Sequence, residues 1–309
     1  MATRIGLTAV LALSLVVVGC GDEQEDQLSG EIKIAGSSTV YPISMAMAEE
    51  FSKLHPDVKV SVSSTGTGGG FKNFFIPGKS DINDASRGIK DSELAKCREN
   101  GIEPIELKVG IDALSMVCNK NADWVDDGMT FEQLKRIWGP DNPPQKWNQV
   151  DPAWPDAAFE LYGPAATSGT FDYFTEVVIG EEDAHRSDYQ KTEHDNVIVQ
   201  GIQGNPHALG YFGFAYYVKN KDRLNAVAIA KEPGDDPVKP SLEHAQSGAY
   251  PLSRPLYIYV SSKALEKPHV KAFVEFYIRK AATELVSDVG YVPITDEQMK
   301  KNLAAIGVE

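Results

Sequence analysis

The segment SSTGTGGGFKNFF, residues 63–75, places four glycines within five positions and then continues with apolar residues at helical spacing. It follows DVKVSVSS (57–64), whose alternation predicts a β-strand. The first N–H groups of a helix are unpaired, and together with the helix dipole they attract anions. Glycines lack the Cβ atoms that would hold an anion away, and Thr65 and Thr67 add hydroxyl donors. The segment therefore predicts an anion cradle, with a flexible turn before a capped helix as the alternative.

The same arrangement of strand, hydroxyl-rich turn and helix recurs twice along the chain. GSSTVYP (36–42) follows the strand-like EIKIAG (31–36), and ATSGTFDYF (166–174) follows the strand-like AFELYG (158–163). One hydroxyl cap would satisfy each helix, so the surplus of Ser and Thr at three junctions favours a shared ligand. Arg87 follows a further strand-like run, and its planar guanidinium suits a bidentate contact with an oxyanion. A surface ion pair is the alternative role for Arg87.

Short strand-like runs alternate with helical patterns along the chain, which predicts α/β architecture. Further strands are predicted at DALSMVCN (112–119), at the aromatic LGYFGFAYY (209–217) and at RPLYIYVS (254–261). Helical patterns follow from Pro268 onward. The 309 residues, of which 42% are hydrophobic, are enough for two ordinary domains with real cores.

Residues 1–20 are predicted to be a secretory signal, because Arg4 is their only charge and the apolar run that follows is too short to favour a membrane span. The small residues before Cys20 resemble a bacterial lipobox, which implies cleavage before Cys20 and its lipidation; an ordinary signal with an incidental cysteine is the alternative. Residues 21–30 are acidic and nearly free of apolar side chains, as in a solvated tether. The sequence thus predicts an exported lipoprotein, periplasmic or at the cell surface, anchored to a bacterial membrane.

Without residues 1–20 the chain carries 29 Lys and Arg against 44 Asp and Glu, a formal charge of −15. Such acidity argues against nucleic acid or an anionic membrane surface as the main partner, because both require basic patches. The lipid anchor is therefore the only membrane contact expected. Cys97 and Cys118 are predicted to be free thiols, with a disulfide as the alternative, because one pair is no framework for a chain of this size.

Five segments together resemble the periplasmic phosphate-binding proteins of ABC uptake systems. They occur in that family's order and spacing: GSSTVYP, STGTGGG, INDASRGIKDSEL, YGPAATSGTFDYFTE and LGYFGFAYY. The resemblance implies a two-lobed α/β fold of the type II periplasmic-binding-protein class, which holds inorganic phosphate in the interlobe cleft and delivers it to ABC transporter permease subunits. Lobe I is expected to comprise residues 31–111 plus 254–309 and lobe II residues 112–253. A monomer is expected.

The resemblance also implies which residues bind phosphate. The matching positions are Ser38 and Thr39 in the first segment, Thr67 in the second, and Ser168, Gly169 and Thr170 in the third. Many relatives have a serine–aspartate pair where this chain has Ser86 and Arg87. They have an arginine and an aspartate where it has Pro164 and Ala166. Arg87 is therefore expected to replace the missing cation.

The acceptor for the phosphate proton decides which anion is preferred. Phosphate keeps a proton near neutral pH and sulfate does not, so a buried carboxylate that accepts a hydrogen bond selects phosphate. The candidates are Asp84, Asp112 and Asp195. Asp112 ranks first because it begins the strand at which the chain is expected to cross between lobes, although it would serve equally as the cap of a turn.

Local motifs of enzymes are missing from the sequence. PGKS (77–80) contains the Gly-Lys-Ser of a phosphate loop, but Asn73 stands where the first glycine is required. The sequence has no G-x-S-x-G elbow and no histidine pair at H-x-x-x-H spacing. No catalytic residue, cofactor or metal is therefore predicted, and a lipid-anchored phosphatase assembled from distant residues is the alternative function.

Overall fold

A computed structural model describes residues 28–166, 168–181, 183–192 and 194–308. The predicted signal, Cys20 and residues 21–27 of the predicted tether lie outside these described residues. The strands are β1 Gly30–Gly36, β2 Val58–Ser64, β3 Ile82–Ala85, β4 Pro104–Asn119, β5 Met129–Thr130, β6 Glu160–Pro164, β7 Gln190–Thr192, β8 Ala208–Gly213, β9 Leu224–Ala226, β10 Ile229–Ala230 and β11 Ser253–Ser261.

The α-helices are α1 Tyr41–Leu54, α2 Thr67–Gly70, α3 Asp91–Glu99, α4 Phe131–Trp138, α5 Gly169–Phe174, α6 Asp195–Gly204, α7 Phe214–Asn220, α8 Leu242–Ser247, α9 Ser262–Leu265, α10 Pro268–Ala281, α11 Glu284–Asp288 and α12 Asp296–Ala305. The π-helical segments Phe71–Phe75 and Thr175–Ile179 continue α2 and α5, and a 3₁₀ turn covers Trp147–Gln149. Within the described ranges no helix combines the length and the apolar character that crossing a membrane requires.

Nine strands of the described chain form one sheet, in the order β2-β1-β3-β11-β4-β8-β6-β7, with β9 also paired to β4. β1 pairs in parallel with β2 and β3, and β6 pairs in parallel with β7 and β8. The antiparallel strands β11 and β4 lie between these two parallel parts. Residues 104–113 of β4 pair with β11, and residues 114–118 pair with β8. β4 is therefore one continuous strand shared by both halves of the sheet.

Two large apolar cores pack on the two halves of the sheet, and β4 contributes side chains to both. Leu107, Ile111 and Ala113 belong to the first core, together with apolar residues of α1 and α10. Leu114 and Met116 belong to the second core, which is rich in aromatic residues. The chain thus folds as the two-lobed α/β protein that the sequence predicts, and the change of core falls within a single strand.

The three predicted junctions are confirmed as strand–turn–helix units, namely β1 to α1, β2 to α2, and β6 to α5. The prediction of one strand over 209–217 is wrong in its second half, because β8 ends at Gly213 and α7 begins at Phe214. Tyr211 packs in the second core, whereas Phe214 packs in the first. The strand ends where the chain reaches the other core, and this packing overrides the β-propensity of the aromatic residues.

Cys97 and Cys118 are free and buried, as predicted. They lie in separate apolar clusters. Burial raises the pKa of the Cys97 thiol to about 11 and that of the Cys118 thiol to about 12. Both side chains therefore act as small apolar core residues.

Candidate functional site

The turn between β1 and α1 is held by Ser37, the residue before the predicted Ser38. Ser37 Oγ accepts hydrogen bonds from the backbone N–H groups of Thr39 (3.2 Å) and Val40 (3.4 Å). The Ser37 N–H donates to the backbone carbonyl of Asp84 at 2.9 Å. Ser38 is exposed, whereas Thr39 is 5% exposed. Ser37 thus holds the turn before α1, and the Thr39 hydroxyl bonds outside the turn.

Close backbone packing accounts for two of the glycines at the first two junctions. Gly36 has a φ of 145°, and a Cβ atom there would lie 2.1 Å from the carbonyl oxygen of Asp84. A Cβ atom on Gly70 would lie 2.6 Å from Gly36 Cα and 2.2 Å from Asn83 Oδ1. Helix α2 therefore packs directly on the end of β1, and a side chain at either glycine would separate them.

Thr67 ties the glycine-rich turn to the end of β3. Thr67 Oγ1 accepts a hydrogen bond from the Ser86 N–H at 3.1 Å and lies 3.2 Å from Ser86 Oγ. The neighbouring Thr65 Oγ1 is buried and has no hydrogen-bond partner among the described residues. The second predicted segment therefore presents one hydroxyl that is bonded to the scaffold and one that is unsatisfied.

Arg87 lies beside this turn, but its guanidinium is already paired. Nη1 and Nη2 donate to the two carboxylate oxygens of Glu93, each at 2.9 Å, and Nη1 also donates to the Gly88 carbonyl at 3.0 Å. The hydrogen bond with Glu93 raises the pKa of Arg87. A Cβ atom on Gly68 would lie 3.6 Å from Arg87 Nη2, so the guanidinium borders the glycine-rich turn. Glu93 therefore makes the bidentate contact with Arg87 that was predicted for an oxyanion.

Ser168 caps α5 at the third junction and thereby sets Gly169 against the first junction. Ser168 Oγ accepts a hydrogen bond from the Thr170 N–H at 3.3 Å. A Cβ atom on Gly169 would lie 3.6 Å from Thr39 Oγ1. Val40, next to Thr39, belongs to the first core, and residues of α5 belong to the second core. The first and third predicted segments therefore meet where the two lobes face each other.

Arg254 lies at this meeting point, and the sequence analysis missed it. It is directly opposite Asp112 in the pairing of β11 with β4, and its Nε donates to Asp112 Oδ2 at 3.2 Å. Nη2 donates to Thr39 Oγ1 and Nη1 donates to Glu176, each at 3.2 Å. The guanidinium carbon lies 4.0 Å from the centre of the Tyr173 ring, which adds a cation–π contact. The only feature of the sequence that could have indicated Arg254 is its position at the start of the predicted strand RPLYIYVS. Its contact with Asp112, 142 residues away, leaves no local pattern.

Asp112 and Asp195 both border the space next to these residues. Asp112 is 5% exposed, and desolvation raises its pKa although the charge of Arg254 opposes the shift. Asp112, Thr170 and Asp195 line one cavity of about 280 Å³. Two of the three candidate acceptors therefore reach the same cavity as a predicted ligand residue.

Asp84, the remaining candidate acceptor, contacts residues of the first lobe's interior. Its Oδ1 accepts a hydrogen bond from Ser44 Oγ at 2.9 Å, and Ser44 Oγ lies 2.9 Å from the Tyr277 hydroxyl. Its Oδ2 is buried without a partner among the described residues. Burial raises the pKa of Asp84 to about 8. The carboxyl is therefore a protonated core group near neutral pH and does not line the cavity beside Asp112.

The assembled groups suit a protonated oxyanion better than a metal ion. The Thr39 hydroxyl and the Arg254 guanidinium supply donors, and Asp112 supplies an acceptor. In the part of the chain that the structure describes, no group of three or more His, Cys, Asp and Glu side chains could hold a metal ion.

The family model of the PBP superfamily domain matches residues 21–281. The chain belongs to the PBP superfamily. The match to the PBP model includes the three junctions, Asp112 and Arg254, so every residue of the site described above lies inside it.

This PBP chain is similar to two bacterial proteins and to one solved structure. It is 42% identical over 292 residues to protein SphX of Synechocystis sp., covering 93% of this chain and 85% of that protein. It is 37% identical over 303 residues to the phosphate-binding protein PstS of Staphylococcus saprophyticus, covering 95% of this chain and 92% of that protein. The crystal structure of a possible phosphate-binding protein from Planctomyces limnophilus matches with a TM-score of 0.85 and 41% identity, covering 91% of this chain and 98% of that chain.

Proposed function

We propose that this chain is an extracytoplasmic solute-binding protein that captures inorganic phosphate between its lobes and delivers it to an ABC transporter. The observation that carries the proposal is the meeting of Thr39, Gly169 and Arg254 at the boundary between the two cores. Relatives that are named phosphate-binding proteins and cover nearly the whole chain support the same ligand.

The proposed phosphate ligands are the residues that the sequence predicts. They are Ser38, Thr39, Thr67, Arg87, Ser168, Gly169 and Thr170, with Asp112 as the acceptor for the phosphate proton. A micromolar site requires about −8.2 kcal/mol, whereas one charge-assisted hydrogen bond contributes about 1.5–3 kcal/mol. Several donors must therefore act together, which explains the hydroxyl surplus at the junctions.

The proposed lobes are residues 31–111 plus 254–309 and residues 112–253. The pairing of Arg254 with Asp112 on the two central strands supports a boundary at these positions. The lobes would close over phosphate by a hinge motion, and the closed form would be the shape that the transporter permease subunits recognise.

Export and anchoring complete the proposal. Residues 1–20 would direct export, Cys20 would carry the lipid, and residues 21–30 would form the tether between the membrane and the folded body. The protein would act as a monomer that touches the membrane through its lipid, in the periplasm or at the cell surface.

Isothermal titration of the chain from residue 21 onward with phosphate, sulfate, arsenate and molybdate tests the ligand. Saturable one-to-one binding of phosphate, with sulfate bound far more weakly, is expected. Incubation with an activated phosphate ester tests the phosphatase alternative. Binding without release of phosphate from the ester is the expected result, and sustained turnover would contradict the proposal.

A further inference from the structure

Arg254 is the cation that both lobes contact, and its three donor nitrogens serve different partners. Nε faces Asp112 on the adjacent strand, Nη2 faces Thr39 at the mouth of α1, and Nη1 faces Glu176. Glu176 lies in the helical segment that continues α5, six residues after the predicted ligand Thr170. The guanidinium therefore joins β4, the turn before α1 and the helical segment that continues α5.

The two carboxylates on Arg254 differ in their exposure. The Asp112 side chain is 7% exposed and the Glu176 side chain is 59% exposed, whereas that of Arg254 is 14% exposed. Asp112 is thus a permanent buried partner that would be left uncompensated without Arg254. Glu176 reaches the guanidinium from the surface, and an exposed ion pair is exchanged for solvent at little cost.

The position of Glu176 is also the position that an oxyanion would take on this guanidinium. Nη2 is bonded to Thr39, a predicted phosphate ligand, so an anion bound to Thr39 would meet the terminal nitrogens of the same fork. Nη1 of that fork is bonded to Glu176. The negative charge of Glu176 also reaches Arg87, the other arginine of the proposed site.

We infer that Glu176 is an internal counter-ion that occupies Nη1 of Arg254 in the empty site and is displaced when phosphate binds. This inference rests on the proposed phosphate-binding function. Glu176 then lowers the affinity of the site from outside the ligand shell, because an anion that binds to the guanidinium must first displace its carboxylate. Removing its charge while keeping its size should strengthen phosphate binding.

Isothermal titration with inorganic phosphate at low ionic strength tests the inference in the chain from residue 21 onward. Glu176→Gln should bind phosphate roughly two- to fivefold more tightly than the wild type, which is the range expected for loss of one exposed ion pair. Glu132→Gln, on the exposed side of α4, removes the same charge from the second half of the chain without touching Arg254 and should leave the affinity unchanged.

A second substitution shows whether Glu176 acts through Arg254. In an Arg254→Lys background, Glu176→Gln should give a smaller gain than in the wild type, because one ammonium group cannot serve Asp112, Thr39 and Glu176 together. Three results would overturn this inference and leave the proposed function standing. They are weaker phosphate binding by Glu176→Gln, a change in affinity equal to that of Glu132→Gln, and an equal gain in affinity in the wild-type and Arg254→Lys backgrounds. A wild-type chain that binds no phosphate overturns the proposed function and this inference with it.

Discussion

Arg254 and Asp112 lie directly opposite each other on the antiparallel strands β11 and β4, and they form an ion pair of 3.2 Å in which both side chains are largely buried. β4 is the strand that contributes to both cores, so the pair stands where the lobes join. A buried ion pair is retained only when its remaining donors and acceptors are satisfied, and Arg254 meets this condition through Thr39, Glu176 and Tyr173. Arg254 and Asp112 therefore both connect the two lobes and form part of the proposed anion site.

Asp112→Asn should reduce the preference for phosphate over sulfate by about tenfold or more. The proposed role of the carboxylate is to accept a hydrogen bond from protonated phosphate and to repel the fully deprotonated sulfate, whereas a neutral amide would not repel sulfate. Titration of both anions into the wild type, Asp112→Asn and Asp195→Asn measures the ratio. Loss of preference in Asp195→Asn instead would identify Asp195 as the acceptor.

Ser168→Ala should weaken phosphate binding as well as lower stability. Ser241 offers a matched control, because its Oγ caps α8 through the His244 N–H at 3.0 Å just as Ser168 caps α5. Loss of either cap should lower the free energy of unfolding by about 0.5–2 kcal/mol. Only Ser168→Ala should also lower the phosphate affinity, and equal affinities in the two variants would restrict Ser168 to capping.

Arg87→Ala should weaken phosphate binding by at least about tenfold, whereas Glu93→Gln should not weaken it. The guanidinium borders the glycine-rich turn, and its positive charge remains when its partner is made neutral. Titration of both variants separates a role in binding from a role in the ion pair. If Arg87→Ala and Glu93→Gln lose stability equally and both bind phosphate as tightly as the wild type, Arg87 is not part of the site.

Asp84→Asn should flatten the decline of stability with rising pH. The pKa of Asp84 is about 8 in the folded chain and about 3.9 in an unfolded one, so its contribution is complete below about pH 4 and is lost as the pH rises through 8. The difference in free energy of unfolding between variant and wild type should change by up to about 1.4 kcal/mol per pH unit in that window. Urea unfolding from pH 5 to 9 measures it, with Asp57→Asn as a control for the same substitution at an exposed position.

Cys97 and Cys118 should resist thiol reagents while the chain is folded. Burial raises the pKa of both thiols, so the thiolate population is very small at neutral pH. A colorimetric disulfide reagent should label neither cysteine in the native chain from residue 21 onward and both in guanidinium chloride. Labelling of two thiols at native conditions, or of none after unfolding, would contradict the free and buried state of these residues.

Local patterns were sufficient to predict the fold class and the three junctions. The alternation in residues 57–64 reflects the two faces of a strand. The glycines among residues 66–70 reflect close backbone packing, such as that of Gly70 on Gly36. The sequence also indicated Thr39 and Gly169 separately. The surplus of hydroxyl residues at the junctions indicated that their segments share a ligand, but no local rule fixes which residues of segments so far apart come into contact.

Only the tertiary structure decided which charges and hydroxyls are available at the site. Glu93 occupies the fork of Arg87, Ser37 holds the turn next to Ser38, and Arg254 lies on a strand that places it opposite Asp112, 142 residues away in sequence. Each outcome depends on which partner comes within about 3 Å in the folded chain, and hydrogen bonds and ion pairs fall off steeply beyond that distance. Sequence spacing predicts most of the helices and strands, whereas the packing of distant elements decides where β8 ends and which polar side chains remain to bind a ligand.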